Sequence, residues 1–314
     1  EVLLQRSSWG LFELLRCETR LKNNFFGESI IVGQSFHGED EFALYLADRD
    51  RPLSLSGETF IKGLVYLPEA GTKRAFVEGE SFKGSKLIHG DIKKSESKLP
   101  NFNPVLLERL HHQSKGKGAF FDDSTISFSQ LKAHDSLRWG FSRKTLVLET
   151  KDDLFINEAV ASGNIVIKSG GTISISGKCS LENIILFGKN IIVHDGFKGS
   201  FQAFARDTIK IGSGCHLNYP TVLGTIGKAD FGTQLILVSD SSVIEGVLVQ
   251  HREEVSLKDT SIIKIEKDAK VIGQIYGRDK IYLKGKVAGS VICKAFVMST
   301  TSSIYDNYIL NAEI

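Results

Sequence analysis

The sequence predicts an all-β fold: a right-handed parallel β-helix (β-solenoid) with a small N-terminal antiparallel β region and a partly helical excursion. Three observations predict it. The motif apolar-x-Gly-x-apolar recurs as IKGLV (61–65), IHGDI (88–92), VLGTI (222–226), IEGVL (244–248), VIGQI (271–275) and VAGSV (287–291). Aliphatic pairs recur at one constant step, from Ile173 and Ile175 to Ile191 and Val193 to Ile209 and Ile211, and again from Ile263 and Ile265 to Ile281 and Leu283. GTISISGKCSL (171–181) and DTIKIGSGCHL (207–217) also place a cysteine at the same offset.

The physical reading follows from the period of 2. In I-x-I the apolar side chains share one face of a strand and the Ser, Lys or Glu between them takes the other. Short strands of this kind bury one face by stacking rung on rung around a common core. Glycine inside the motif marks a corner where a Cβ would clash. The steps between Gly224, Gly246, Gly273 and Gly289 are unequal, too irregular for a hexapeptide helix and suited to three unequal sheets. A β-sandwich also yields many short strands, but it has no reason to repeat the same core residues at fixed offsets.

Element by element, residues 1–50 read as an N-terminal meander of three longer strands in WGLFELLRCETR, ESIIVGQSF and EFALYLADRD. Residues 51–95 carry the first rungs. Residues 96–143 form an excursion or lateral cap, with a short helix in VLLERLHHQ and a turn in SKGKG. Residues 144–314 form the main solenoid. Its tail, VMSTTSSIYDNYILNAEI, is expected to cover the open end, because an exposed terminal rung templates edge-to-edge pairing.

Composition narrows the function classes. The chain has 314 residues, a formal net charge of +2 and 24% charged residues, a weak electrostatic case for nucleic acid or an acidic membrane surface. With 41% hydrophobic residues and 20 Phe, it carries enough apolar surface for a sizeable core. No apolar run is long enough to span a membrane. The chain starts at Glu1 and not Met, which reads as a processed or incomplete N-terminus with room for an earlier anchor or signal. Cys17, Cys179, Cys215 and Cys293 show no C-x-x-C spacing, so zinc and dithiol chemistry are disfavoured and buried free thiols are expected.

Little in the chain spells out chemistry. A polysaccharide-cleaving β-helix needs carboxylates stacked on one outer face beside an Arg or Lys. The nearest candidates are Arg206 and Asp207 in GSFQAFARDTIKI, with Asp195 and His194 one rung earlier. Their rung neighbours Gly212 and Ser213 carry no charge, so a pair that shapes a turn is the plainer reading. The convergence of Asp195, Arg206, Asp207, Asp240 and Glu245 would decide it. Trp139 and Phe141, in LRWGF, are candidates to stack on sugars, although they and Trp9 also suit core packing. The histidines form no metal-ligand pattern, and His111–His112 read as solvated. Asp122 and Asp123 read as hydrated loop carboxylates, and Lys83, Lys86, Lys93, Lys94 and Lys98 as a solvated face. No dinucleotide, P-loop or nucleophile-elbow motif occurs, so no cofactor and no metal is expected.

Several stretches together carry a resemblance: WGLFELL (9–15), EFALYLADRDRPLSLSGETFIKGLVYLPEAG (41–71), SFKGSKLIHGDIKKSESKLP (81–100) and GFKGSFQAFARDTIKIGSGCHLNYPTVL (196–223). They resemble an uncharacterised envelope-protein family of Gram-negative bacteria, with a hydrophobic N-terminal helix and an extracytoplasmic β-rich body. The resemblance implies an extracytoplasmic location in the cell envelope, at the periplasm or the cell surface, with an anchor before residue 1. It implies no catalytic residue. The glycine rungs are also similar, generically, to bactofilins, short solenoids that polymerise end to end.

The expected function is a non-enzymatic structural or interaction protein of the bacterial cell envelope, presenting a rigid solenoid to protein partners, with self-association possible. The alternatives are a carbohydrate-active β-helix enzyme (lyase or hydrolase) and a carbohydrate-binding adhesin.

Overall fold

In the computed structural model the described residues are 2–22, 24–33, 41–115, 124–127, 136–227, 233–252 and 261–314. These residues are all-β apart from one helix, and parallel pairing dominates among them.

The constant step seen in the sequence is a hydrogen-bonding register. Ile173 pairs with Ile191 and Ile191 with Ile209, while Ile175 pairs with Val193 and Val193 with Ile211. The series continues through Ile236 and Val238 to Ile263 and Ile265, then to Ile281 and Leu283. The two runs seen in the sequence are therefore one column. All of these side chains are buried in a single aliphatic core.

Two further columns run beside it. One joins Lys198, His216, Val243, Lys270 and Lys286 through successive strands. The other joins Val147, Val166, Ile185, Gln202, Val222, Val247, Gln274 and Ser290. Strands in this third set are buried on both faces, as in Ile165–Ser169, which explains continuous apolar runs such as IVI and IIL in place of alternation.

The motif glycines form a corner stack. A Cβ on Gly273 would sit 2.0 Å from the Gly246 carbonyl oxygen, and one on Gly289 would sit 1.8 Å from that of Gly273. The same contact at 2.0 Å links Gly90 to Gly63. Gly224 is an exception to the sequence reading. Thr221 occupies the corner beside Gly246, and Gly224 pairs with Val249 along the strand. An irregularity between Leu217 and Thr221, next to the cis Tyr219–Pro220 bond, puts VLGTI out of phase.

Chain order and stacking order differ, which the sequence did not suggest. Val291 pairs with Leu44, Leu44 with Val65, and Val65 with Ile92. The rungs of 51–95 thus lie beyond the C-terminal rung. The tail does not cover an open end: Tyr308–Leu310 pairs with Leu53–Ser56, so it is sandwiched between late and early rungs. The third expected meander strand fails for the same reason. Leu44–Leu46 is fully buried and joins the parallel ladder.

The chain returns along the outside. Tyr45 Oη donates to the Lys98 carbonyl at 3.2 Å and Tyr276 Oη to that of Pro100 at 3.0 Å. Phe102 packs on Tyr276 and His251. Helix α1 (Pro104–Ser114) follows, the expected helix, with Pro104 in its first turn and the Asn103 side chain accepting from the Val105 N–H. Its Leu106, Leu107 and Leu110 join an outer apolar cluster with Val147, Ile185, Phe204 and Val249.

Strands β1 (Val2–Trp9), β2 (Phe12–Leu21) and β3 (Asn24–Val32) form a separate antiparallel sheet in the order β1-β2-β3. Trp9, Leu11, Phe12 and Leu14 bury its root against the outer cluster. Gln202 locks the turn, accepting from the Leu11 N–H and donating to the Trp9 carbonyl, each at 2.8 Å.

Candidate functional site

The five residues whose convergence would signal a sugar-cleaving groove separate into groups. Asp195 Oδ1 accepts from the Ser213 N–H at 2.8 Å, and the Ser213 hydroxyl donates to Asp240 Oδ1 at 2.8 Å. These carboxylates brace one turn of the stack, between the Ile column and the column of Lys198 and His216. Arg206 and Asp207 lie at a different corner, ahead of Ile209, paired at 3.2 Å and both solvent-exposed. Glu245 faces His216 at 3.4 Å. Arginine and the braced carboxylates therefore do not share a corner, and each acid has a local structural partner.

Trp139 is half-buried against the inner core. Its Nε1 donates to the Lys144 carbonyl at 2.7 Å, and the Arg143 guanidinium lies 4.8 Å over its ring. Phe141 meets buried Trp9 edge-on at 5.2 Å. Both rings thus have packing partners where a sugar would stack.

Among the described residues no group of three or more His, Cys, Asp or Glu could hold a metal ion. Asp122, Asp123, His37 and His134 lie outside the described residues. All four cysteines are free thiols. Burial of Cys179, Cys215 and Cys293 matches the sequence reading, and burial pushes the Cys215 and Cys293 thiols up in pKa. Cys17 is instead exposed, because it sits mid-strand in β2 on a face that nothing among the described residues covers. Lys83 pairs with Glu58 and Glu80, and Lys94 with Glu69, on exposed surface.

That uncovered face is the feature the sequence reading missed. In an antiparallel sheet directly opposite residues share a face. The register Val2–Thr19–Phe26, Leu4–Cys17–Glu28, Arg6–Leu15–Ile30 and Leu21–Asn24 puts Val2, Leu4, Leu21, Phe26 and Ile30 on one side. They are 70%, 68%, 72%, 67% and 59% exposed. The opposite side buries Trp9, Phe12 and Leu14 at its root. Arg6 and Glu13 pair on the apolar face. Among the described residues β1 and β3 are both edge strands, each hydrogen-bonded only to β2. The signal was present as apolar residues on both parities of VLL and NFF, which one buried face cannot absorb.

No family model matches the chain, and no curated protein or solved structure matches it either.

Proposed function

We propose that the chain is a non-enzymatic scaffold protein of the cell envelope: a right-handed parallel β-helix that holds the β1–β3 sheet out toward a protein partner. The observation that carries this reading is the sheet's uncovered apolar face between two unpaired edges. Contiguous exposed apolar surface of this kind marks interaction sites. Open backbone edges favour a polypeptide partner, since an added strand satisfies their N–H and C=O groups and a lipid or sugar does not.

The β-helix assignment is supported by how long strands pair. A barrel strand meets one neighbour along each side. Ser180–Val193 instead meets three shorter strands in succession along one edge, at Ser180, Ile185 and Asn190, as a coil with three sides would. Right-handed winding is the hand that parallel β-x-β connections take. The envelope location, and an anchor ahead of residue 1, are supported by the resemblance of the quoted stretches alone. No helix among the described residues is long and apolar enough to cross a membrane.

Site-specific photo-crosslinking in cells tests the proposal. A crosslinker at Leu4 or Phe26 should trap a discrete polypeptide adduct that one at Lys210, on the ladder, does not. Identical profiles at all three positions would remove the docking face.

A further inference from the structure

A second surface carries its own chemistry, independent of the sheet. Lys168 pairs with Phe187, Phe187 with Phe204, and Phe204 with Gly224 along the outward row of the two-face-buried column. The two phenyl rings stack, centroids 5.4 Å apart at 24°. Gly224 permits this, since a Cβ there would meet the Phe204 ring at 2.8 Å. Above this row stands the last turn of α1, and a cavity of about 390 Å³ remains between them.

Its lining is one-sided in charge. His111, Lys115, Lys168, Lys189 and Arg206 line it, and no Asp or Glu among the described residues does. Two of these cations have a carboxylate outside the lining, Glu149 at 3.8 Å from Lys168 and Asp207 at 3.2 Å from Arg206. Lys115 and Lys189 have no carboxylate partner among the described residues. The floor is Phe187, Phe204 and Ile226, with Leu110 of α1 facing them. Lys168 is buried at the edge of that floor, where a cation is held only with negative charge near it.

We propose that this cavity binds a small ligand in which a carboxylate is carried on a six-membered ring. The anion would lie among Lys115, Lys189 and Arg206, where charge-assisted hydrogen bonds are strong, and the ring would lie flat on Phe187 and Phe204. The volume suits one or two rings. A peptide strand fits poorly, because the wall strands already pair on both sides and present no open edge. A uronic acid and an aryl carboxylate share the required chemistry.

Calorimetry on the intact chain tests this with glucuronate, benzoate, glucose, inorganic phosphate and an acidic hexapeptide. Glucuronate or benzoate should bind while glucose does not, and whichever binds more tightly identifies the source of the ring. The double variant Lys115→Glu with Lys189→Glu, both on the rim, should weaken that binding by about tenfold or more while leaving the melting temperature near that of the parent. Arg206→Gln should weaken it less. Phosphate binding as tightly as the ring acids would overturn the role of the aromatic floor. Tighter binding of the acidic peptide, binding unchanged in the double variant, or no binding of either ring acid would each overturn the proposal. Crosslinking at Leu4 and Phe26 reads out separately, so either inference can fail alone.

Discussion

The parallel ladder and the β1–β3 sheet are built from similar residues and treat them oppositely. In the ladder, Ile173, Ile191, Ile209, Ile236, Ile263 and Ile281 are wholly buried, each against the rung before and after. In the sheet, Val2, Leu4, Phe26 and Ile30 lie just as regularly in register, yet face solvent. A strand inside the parallel ladder has a paired neighbour on each side and the shared core beneath it. A three-stranded sheet has only its two faces, and just the root of one of them is covered. Equal hydrophobicity is therefore buried in one region and left facing solvent in the other.

Substitutions should break this comparison unequally. Gly273→Val should have the largest effect, because its Cβ would meet the Gly246 carbonyl oxygen at 2.0 Å and its φ is 140°. The loss should be on the order of 4 kcal/mol or more, in the range reserved for severe core lesions, read as failure to fold or a large drop in melting temperature. Ile209→Ala, in the fully buried column, should cost about 2–5 kcal/mol by denaturant unfolding. Leu4→Ser on the sheet should change stability by no more than about 0.5 kcal/mol, while abolishing the adduct crosslinked from Phe26. A Leu4→Ser loss comparable to that of Ile209→Ala would mean the sheet face is covered within the chain.

Acid sharpens the same contrast. His251 is buried in the ladder's outer layer, where Arg278 Nη1 donates to its Nε2 at 2.9 Å. Burial first, then the charges of Arg278 and His111, hold its pKa down at about 4, against an ordinary 6.5. Between those values the unfolded chain binds a proton that the folded chain refuses, so stability should fall as pH drops from 6.5 to about 4. The His251→Gln variant should lose part of that slope in pH-dependent melting. An unchanged slope would show that other groups carry it.

The sequence made the ladder legible where one physical constraint repeats. Aliphatic pairs at a constant step and glycines at a corner both reflect stacking, and both recur in register. It was less legible where a residue's partner lies far along the chain. Nothing in ALYL announces that Leu44 will pair with Val291. That partner lies near the other end of the chain, so local alternation suggested a meander strand. Gly224 misled because the Thr221 corner sits within an irregular stretch. At the candidate sites, Arg206 with Asp207 was readable as a turn pair, whereas the Asp195–Ser213 hydrogen bond was not. The Phe187–Phe204 floor required knowing which side of each strand faces α1.

The central claim is that the early rungs stack beyond the late ones. Spin labels at Phe155 and Lys73, both exposed, test it most directly by pulsed electron double resonance. The path from Phe155 through Ser174, Lys210, Lys264, Tyr282, Tyr308 and Ser54 to Lys73 crosses about ten rungs of about 4.8 Å. A separation of roughly 50 Å is predicted on that spacing. A separation of roughly 15 Å, the value for rungs laid down in chain order at the same spacing, would contradict the account.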